Sequence, residues 1–158
     1  MKKIKLEIIG LSYSQTQSGA YALVLGEEKG KRRLPIIIGA FEAQAIAIEL
    51  ENMTPSRPLT HDLFKSLAQS FNIEVEEVII FNLLEGVFYA KLICNDGEKK
   101  LEIDARTSDA IAIAVRFGCT IYTYEFILSS AGIELEDNTS IESIEEHVER
   151  PQISKLSD

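Results

Sequence analysis

The sequence predicts an α+β domain in which two strand-turn-strand-helix units share a mixed, largely antiparallel sheet. Three observations lead there. Sliding the 158-residue chain on itself by 67 residues lays 21–50 over 88–117 without a gap, so that Tyr21 meets Phe88, Gly30 meets Gly97, Leu34 meets Leu101, Ile36 meets Ile103 and Glu42 meets Asp109. Within each copy, two segments rich in Ile, Val and Leu flank a polar turn with a central glycine, the pattern of a hairpin. Each return strand then runs into an alanine-rich stretch, AIAI at 45–48 and AIAV at 112–115. A period this long with only two copies rules out a solenoid and reads as an internal duplication inside one domain.

The elements follow in order. Residues 4–11 and 21–25 read as strands, EEKGKR turns the chain at Gly30, and 34–38 return. The stretch AIAIAV at 110–115 fits a strand by period, since Ile recurs every second residue, but Ala110, Ala112 and Ala114 favour helix, and its copy over 41–50 follows, with alanines that allow close approach to the sheet or to another helix. Pro55 and Pro58 stiffen the next loop, Thr60 is placed to cap a helix, and Leu63, Phe64, Leu67 and Phe71 form the stripe expected to face the core. Strands over 75–84 and 87–94, a turn at Gly97 and a return over 101–103 repeat the first unit. Asp104 then closes the strand and Arg106 occupies the turn. Ser108 is the expected N-cap of the second alanine-rich helix, Asp109 suits its positive end and Gly118 its stop. A strand over 120–124 and a short helix ending at Gly132 complete a domain spanning 1–137. Residues 138–158 read as an acidic flexible tail or linker.

Composition fixes the broad class. With 46% hydrophobic and 26% charged residues the chain can bury a core. Its net charge of -9 opposes indiscriminate nucleic-acid binding, although residues 134–158 hold eight acids against two bases and leave about -3 for the remainder. Cys94 and Cys119 fit no metal spacing or disulfide framework and are expected reduced and buried. No apolar run reaches the roughly 20 residues of a membrane span, and the N-terminus MKKIKLEIIG lacks a long apolar signal core, so a cytoplasmic setting without membrane contact is expected.

The polar residues admit two readings. DARTSD at 104–109 and THD at 60–62 each stand at a helix start, where acids offset the helix dipole and Arg106 can pair with Asp109. The same residues also furnish two walls of a polar cleft near Glu42. Arg57, between Ser56 and Pro58, is a cation on a stiff loop, and Lys29, Lys31, Arg32 and Arg33 form either a solvated hairpin tip or a guide for a polyanion.

The segments LPIIIGAFEAQAIAIEL, SRPLTHDLF, GVFYAKL and DARTSDAIAIAVR, in this order, resemble the bifunctional nuclease domain family, which is related to plant wound-responsive proteins. The resemblance covers about residues 4–134. It departs at Thr107, where the family usually carries proline after the arginine of DAR. It implies DNase and RNase activity, with DNA and RNA as substrates, and supplies no residue roles.

Those roles come from chemistry. Phosphodiester hydrolysis needs an activated water and neutralised phosphate oxygens, commonly through carboxylate-held divalent cations. The expected catalytic set is His61, Asp62, Asp104 and Asp109, with His61 as general acid or base or as a ligand. Glu42, Asp62, Asp104 and Asp109 are the expected ligands of Mg or Mn, and Arg57 and Arg106 the expected phosphate clamps. The alternative is a non-enzymatic oligomeric protein that binds a partner or senses an anion or other ligand. Alanine-rich helix faces lead to the expectation of a homo-oligomer, a dimer in the first instance.

Overall fold

The structure, a computed structural model, describes residues 1–14 and 17–134; the expected tail lies outside these residues. In chain order the elements are β1 (Lys3–Tyr13), β2 (Ala20–Glu27), β3 (Arg32–Gly39), α1 (Ala40–Leu50), α2 (Thr60–Ser70), β4 (Glu74–Leu84), β5 (Val87–Asn95), β6 (Lys100–Arg106), α3 (Thr107–Phe117), β7 (Thr120–Tyr124), α4 (Glu125–Ala131) and β8 (Ile133–Glu134). The strands form one sheet in the order β6-β5-β4-β7-β1-β2-β3-β8. Every neighbouring pair is antiparallel except β4 and β7, so the sheet is mixed and largely antiparallel, as the sequence predicts. At the 67-residue offset β2, β3 and α1 fall on β5, β6 and α3 to within a residue at their ends.

Cross-strand pairs explain the core. Leu25 faces Leu34 and Leu23 faces Ile36 across β2 and β3, while Val78 faces Leu92 and Ile80 faces Ala90 across β4 and β5. All of these side chains are buried. Ile46 of α1 and Ile111 of α3, both fully buried, cover them. The alanines serve close approach inside the domain, as expected, and not an interface between subunits: Ala43 and Ala45 of α1 and Ala110, Ala112 and Ala114 of α3 are buried where these helices pack together. Gly118 closes α3 in the left-handed region at φ 67°, which glycine adopts without a Cβ clash.

Several local expectations need correction. Strand β6 is longer than expected, so Asp104 sits within it and Arg106 ends it rather than occupying a turn. The helix that follows starts at Thr107, with Arg106 as N-cap, and Ser108 lies in its first turn. The Thr107 hydroxyl donates to the Phe88 carbonyl at 3.0 Å, tying the helix start to β5. Thr60 is likewise the first helical residue of α2 and Leu59 its cap; the Asp62 carboxylate accepts the Leu59 amide at 2.9 Å. The stripe of α2 also faces the other way. Leu63, Leu67 and Phe71 are exposed, Phe64 is only partly buried, and Ala68 is the buried residue. Cys94 is buried and Cys119 only partly so, and both are free. The two-residue strand β8, which pairs with Arg32 and Arg33, was not anticipated.

The physical reason for the turned helix is Arg116 of α3, whose side chain is 2% exposed. Its Nε donates to Asp62 Oδ1 at 2.7 Å, Nη1 to the Ala112 carbonyl at 2.9 Å and Nη2 to the Ala45 carbonyl at 3.1 Å. An interior guanidinium needs such partners, so the polar edge of α2 turns inward to meet it. Burial pushes the Asp62 carboxyl up, but the Leu59 amide and Arg116 outweigh it and hold the group below its usual range.

Removing one partner should cost more than removing both. Asp62→Ala is expected to lower unfolding stability in urea by about 3–5 kcal/mol, as breaking a buried pair typically does, while Arg116→Met combined with Asp62→Leu should recover most of that loss. A depressed carboxyl contributes stability that is present above its unfolded pKa, about 3.9, and is lost as pH falls through the lower folded value. The stability difference between wild type and Asp62→Asn should therefore shrink on going from pH 7 to about pH 3, measured by denaturation at each pH.

Candidate functional site

Three helix starts meet in a cleft of about 470 Å³ lined by Phe41, Glu42, Gln44, Ala45, Ile48, Leu59, Thr60, His61, Arg106 and Asp109. Glu42 and Asp109 occupy the first turns of α1 and α3, where the helix dipole favours a negative charge. His61 enters from the first turn of α2. Its Nε2 lies 2.9 Å from Asp109 Oδ1, so THD and DARTSD do form facing walls. Arg106 joins the remaining pieces: its Nε donates to Asp109 Oδ2 at 3.0 Å and its Nη2 to Glu42 Oε1 at 2.7 Å.

The electrostatics follow from these contacts. Burial pushes the Asp109 carboxyl up, yet hydrogen bonds from His61 and Arg106 together bring it below its usual range. Asp109 and then Glu42 raise Arg106, whose side chain nevertheless stays 69% exposed. The guanidinium is thus anchored by two carboxylates while one side remains open to water. Glu42, Arg106 and Asp109 together carry two negative charges and one positive, which does not attract a phosphate unless a further positive charge arrives.

The other expected site residues lie elsewhere. Asp62 is committed to Arg116 and to the Leu59 amide and turns away from the cleft. Asp104 lines a neighbouring groove of about 480 Å³ between the ends of β3, β5 and β6, with Ile36, Ile38, Val87, Tyr89 and Ala105 forming much of its wall. Glu42 and Arg106 border both spaces. Arg57 is exposed and has no hydrogen-bond or ion-pair partner among the described residues. In the basic hairpin, Arg32 is taken up by Glu27 and Glu125 and pins the turn to α4. The Mg or Mn ligand set is not gathered in one place: among the described residues no group of three or more His, Cys, Asp or Glu side chains is arranged to hold a metal ion. Arg106 stands between Glu42 and Asp109, and Asp62 and Asp104 are elsewhere.

Arg116 is the residue that sequence reasoning missed. The available signal was a lone arginine two turns into an alanine-rich helix otherwise expected to be buried, a placement that demands an interior acid. Asp62, read as a catalytic candidate, was that acid.

The chain is 40% identical over 139 residues to an uncharacterized protein of Mycobacterium tuberculosis, a match covering 88% of this chain and 82% of that protein. It is 29% identical over 116 residues to bifunctional nuclease 2 of Oryza sativa subsp. japonica, covering 71% of this chain and 36% of the rice protein. With bifunctional nuclease 2 of Arabidopsis thaliana the identity is 28% over 121 residues, 74% of this chain and 37% of that protein. Residues 23–136 match the bifunctional nuclease domain as a family, more than half of the chain. On that span, and with three of the four segments falling on the elements that build the cleft and the fourth, GVFYAKL, on the wall of the adjoining groove, the chain belongs to the bifunctional nuclease domain family.

Proposed function

We propose that this chain is a nuclease that hydrolyses phosphodiester bonds in DNA and RNA, acting in the cytoplasm as a homo-oligomer, with a dimer favoured. The observation that carries the reading is the 2.9 Å contact between His61 Nε2 and Asp109 Oδ1 in an open cleft. With Asp109 ionised, Nε2 holds the proton and donates it, and the lone pair of Nδ1 is left to take a proton from water. Asp109 thereby sets the tautomer and orientation of the base, a role that an acid commonly plays beside a catalytic histidine. Arg106 is the phosphate contact: it is held at one edge by two carboxylates and offers the other to an anionic oxygen. Arg57, unpaired and on a proline-flanked loop before α2, is a second cation for the polymer backbone. Asp104 belongs to the adjoining groove and is assigned to substrate contact, not proton transfer.

Assistance by Mg or Mn forms part of the proposal, but the residues present do not assemble a ligand set, and no step above is routed through a cation. The charge balance of the cleft also favours a second reading. Because Glu42 and Asp109 together outweigh Arg106, a non-enzymatic protein that binds a partner or senses a ligand through this cleft fits the same geometry.

Cleavage assays on single-stranded DNA, duplex DNA and RNA decide between them. His61→Ala and Asp109→Asn should each lower the rate by about 100-fold or more, the usual worth of a positioned base, with folding unchanged by circular dichroism. Arg106→Gln should weaken substrate binding, and Asp104→Asn should alter the rate less than either cleft variant. Chelator, followed by added Mg or Mn, tests the cation: loss and recovery support its part, whereas undiminished cleavage removes it. Equal cleavage by wild type and every variant would trace the activity to a contaminant and sink the nuclease reading.

A further inference from the structure

The outward face of α2 is where composition and exposure disagree most. Leu63, Leu67 and Phe71 recur every fourth residue, and 61%, 58% and 70% of their surfaces are exposed. The other exposed positions from 60 to 71 are Thr60, Ser66, Gln69 and Ser70, so this face carries no charge in a chain that is 26% charged. Phe41 of α1, 87% exposed, continues the apolar surface past Leu59 and Thr60, with which it lines the cleft. At about 200 Å² for a whole phenylalanine and slightly less for leucine, these four side chains leave roughly 500 Å² exposed. That is a large part of the ~800 Å² each partner contributes to a standard interface, and the serine, threonine and glutamine flanks supply more.

We infer that this face seats the same face of a second copy, α2 against α2 about a two-fold axis. The inference rests on the homo-oligomer reading above and names its surface. In a chain of net charge -9, a face without charge meets its own copy with no like-charge repulsion, and the exposed face of α2 is such a face. Residues spaced by four form a ridge that packs into the matching groove of an identical helix, and the serines beside the ridge allow close approach. The competing apolar stretch, Leu101 and Ile103 on the edge strand β6, alternates with Lys100, Glu102, Asp104 and Arg106, charges of the kind that guard an edge against pairing. Residues 135–158 carry seven acids against two bases in sequence, and the exposed residues of α2 include no basic side chain to complement them. Since Thr60 and Phe41 belong both to this face and to the rim of the cleft, the second copy borders the site.

Light scattering across a concentration series on the full chain tests the assignment. Wild type should run at twice 17.6 kDa. Leu67 lies in the middle of the ridge and meets the ridge of the other copy, so Leu67→Asp and Leu67→Lys should each run as monomers with unchanged circular dichroism, and with a urea midpoint that, unlike that of wild type, does not rise with protein concentration. Mixing the two variants should restore the dimer through opposite charges. A monomeric wild type, as expected if residues 135–158 or a different protein cover the face, overturns the oligomer reading itself. A dimer that survives both substitutions leaves that reading standing and overturns this face as its interface. Two monomeric variants that fail to associate when mixed overturn the α2-on-α2 arrangement.

Discussion

A single guanidinium withdrawn from water holds the three long helices in one arrangement. Arg116 cannot stay charged inside α3 without partners, and it finds them in its own helix, in the Ala45 carbonyl of α1 and in the Asp62 carboxylate of α2. Burial of this pair does not by itself add stability, because desolvation offsets much of the attraction; what it adds is a unique position for each helix. Asp62 is the third residue of α2, so its bond to Arg116 places the first turn of that helix, and His61 comes to Asp109 as a result. The cleft is therefore set by an interaction that takes no part in it.

Within the cleft the two halves of the chain contribute unequally. Glu42 and Asp109 stand at equivalent places in α1 and α3, but the preceding caps are Gly39 and Arg106. A Cβ at Gly39 would lie 2.8 Å from Glu42 Oε2, so glycine lets that carboxylate fold back over its own helix start. Its other oxygen reaches Arg106, which serves both acids. Two negative helix starts that would repel one another are joined by one exposed cation.

Much of this was legible from residue types alone, since each feature had a local cause. Alternating β-branched residues and glycine turns marked the strands; alanine content decided the helices against a misleading period; and acids at two helix starts pointed to the meeting of His61 with Asp109. What escaped were features decided by tertiary partners. Periodicity showed that Leu63, Leu67 and Phe71 share a side of α2 but not which side the fold would cover, because that depended on Arg116. Asp62 and Asp109 look alike in sequence, each an acid in a first helical turn, and only the arginine each one meets separates a helix brace from a cleft residue. Ser108 and Thr60 had capping chemistry, but the caps fell earlier, at Arg106, where the pairing of β6 with β5 ends, and at Leu59 in the loop after α1.

Strand β7 has a consequence for how the chain is made. It lies between β4 and β1, so among the described residues the ladders β1-β2-β3 and β4-β5-β6 are joined within the sheet only through these five residues. The partner of β1 on that side, Thr120–Tyr124 against Lys3–Leu6, emerges after more than a hundred further residues have been synthesised. At about 5–20 residues per second, the open backbone edge of the first ladder waits on the order of 5–20 s on the ribosome for the strand that closes it. During that interval the nascent chain offers a template for stray β-pairing, which the charges of Lys3, Lys5 and Glu7 and the irregularity between Ile8 and Gly10 oppose along that edge.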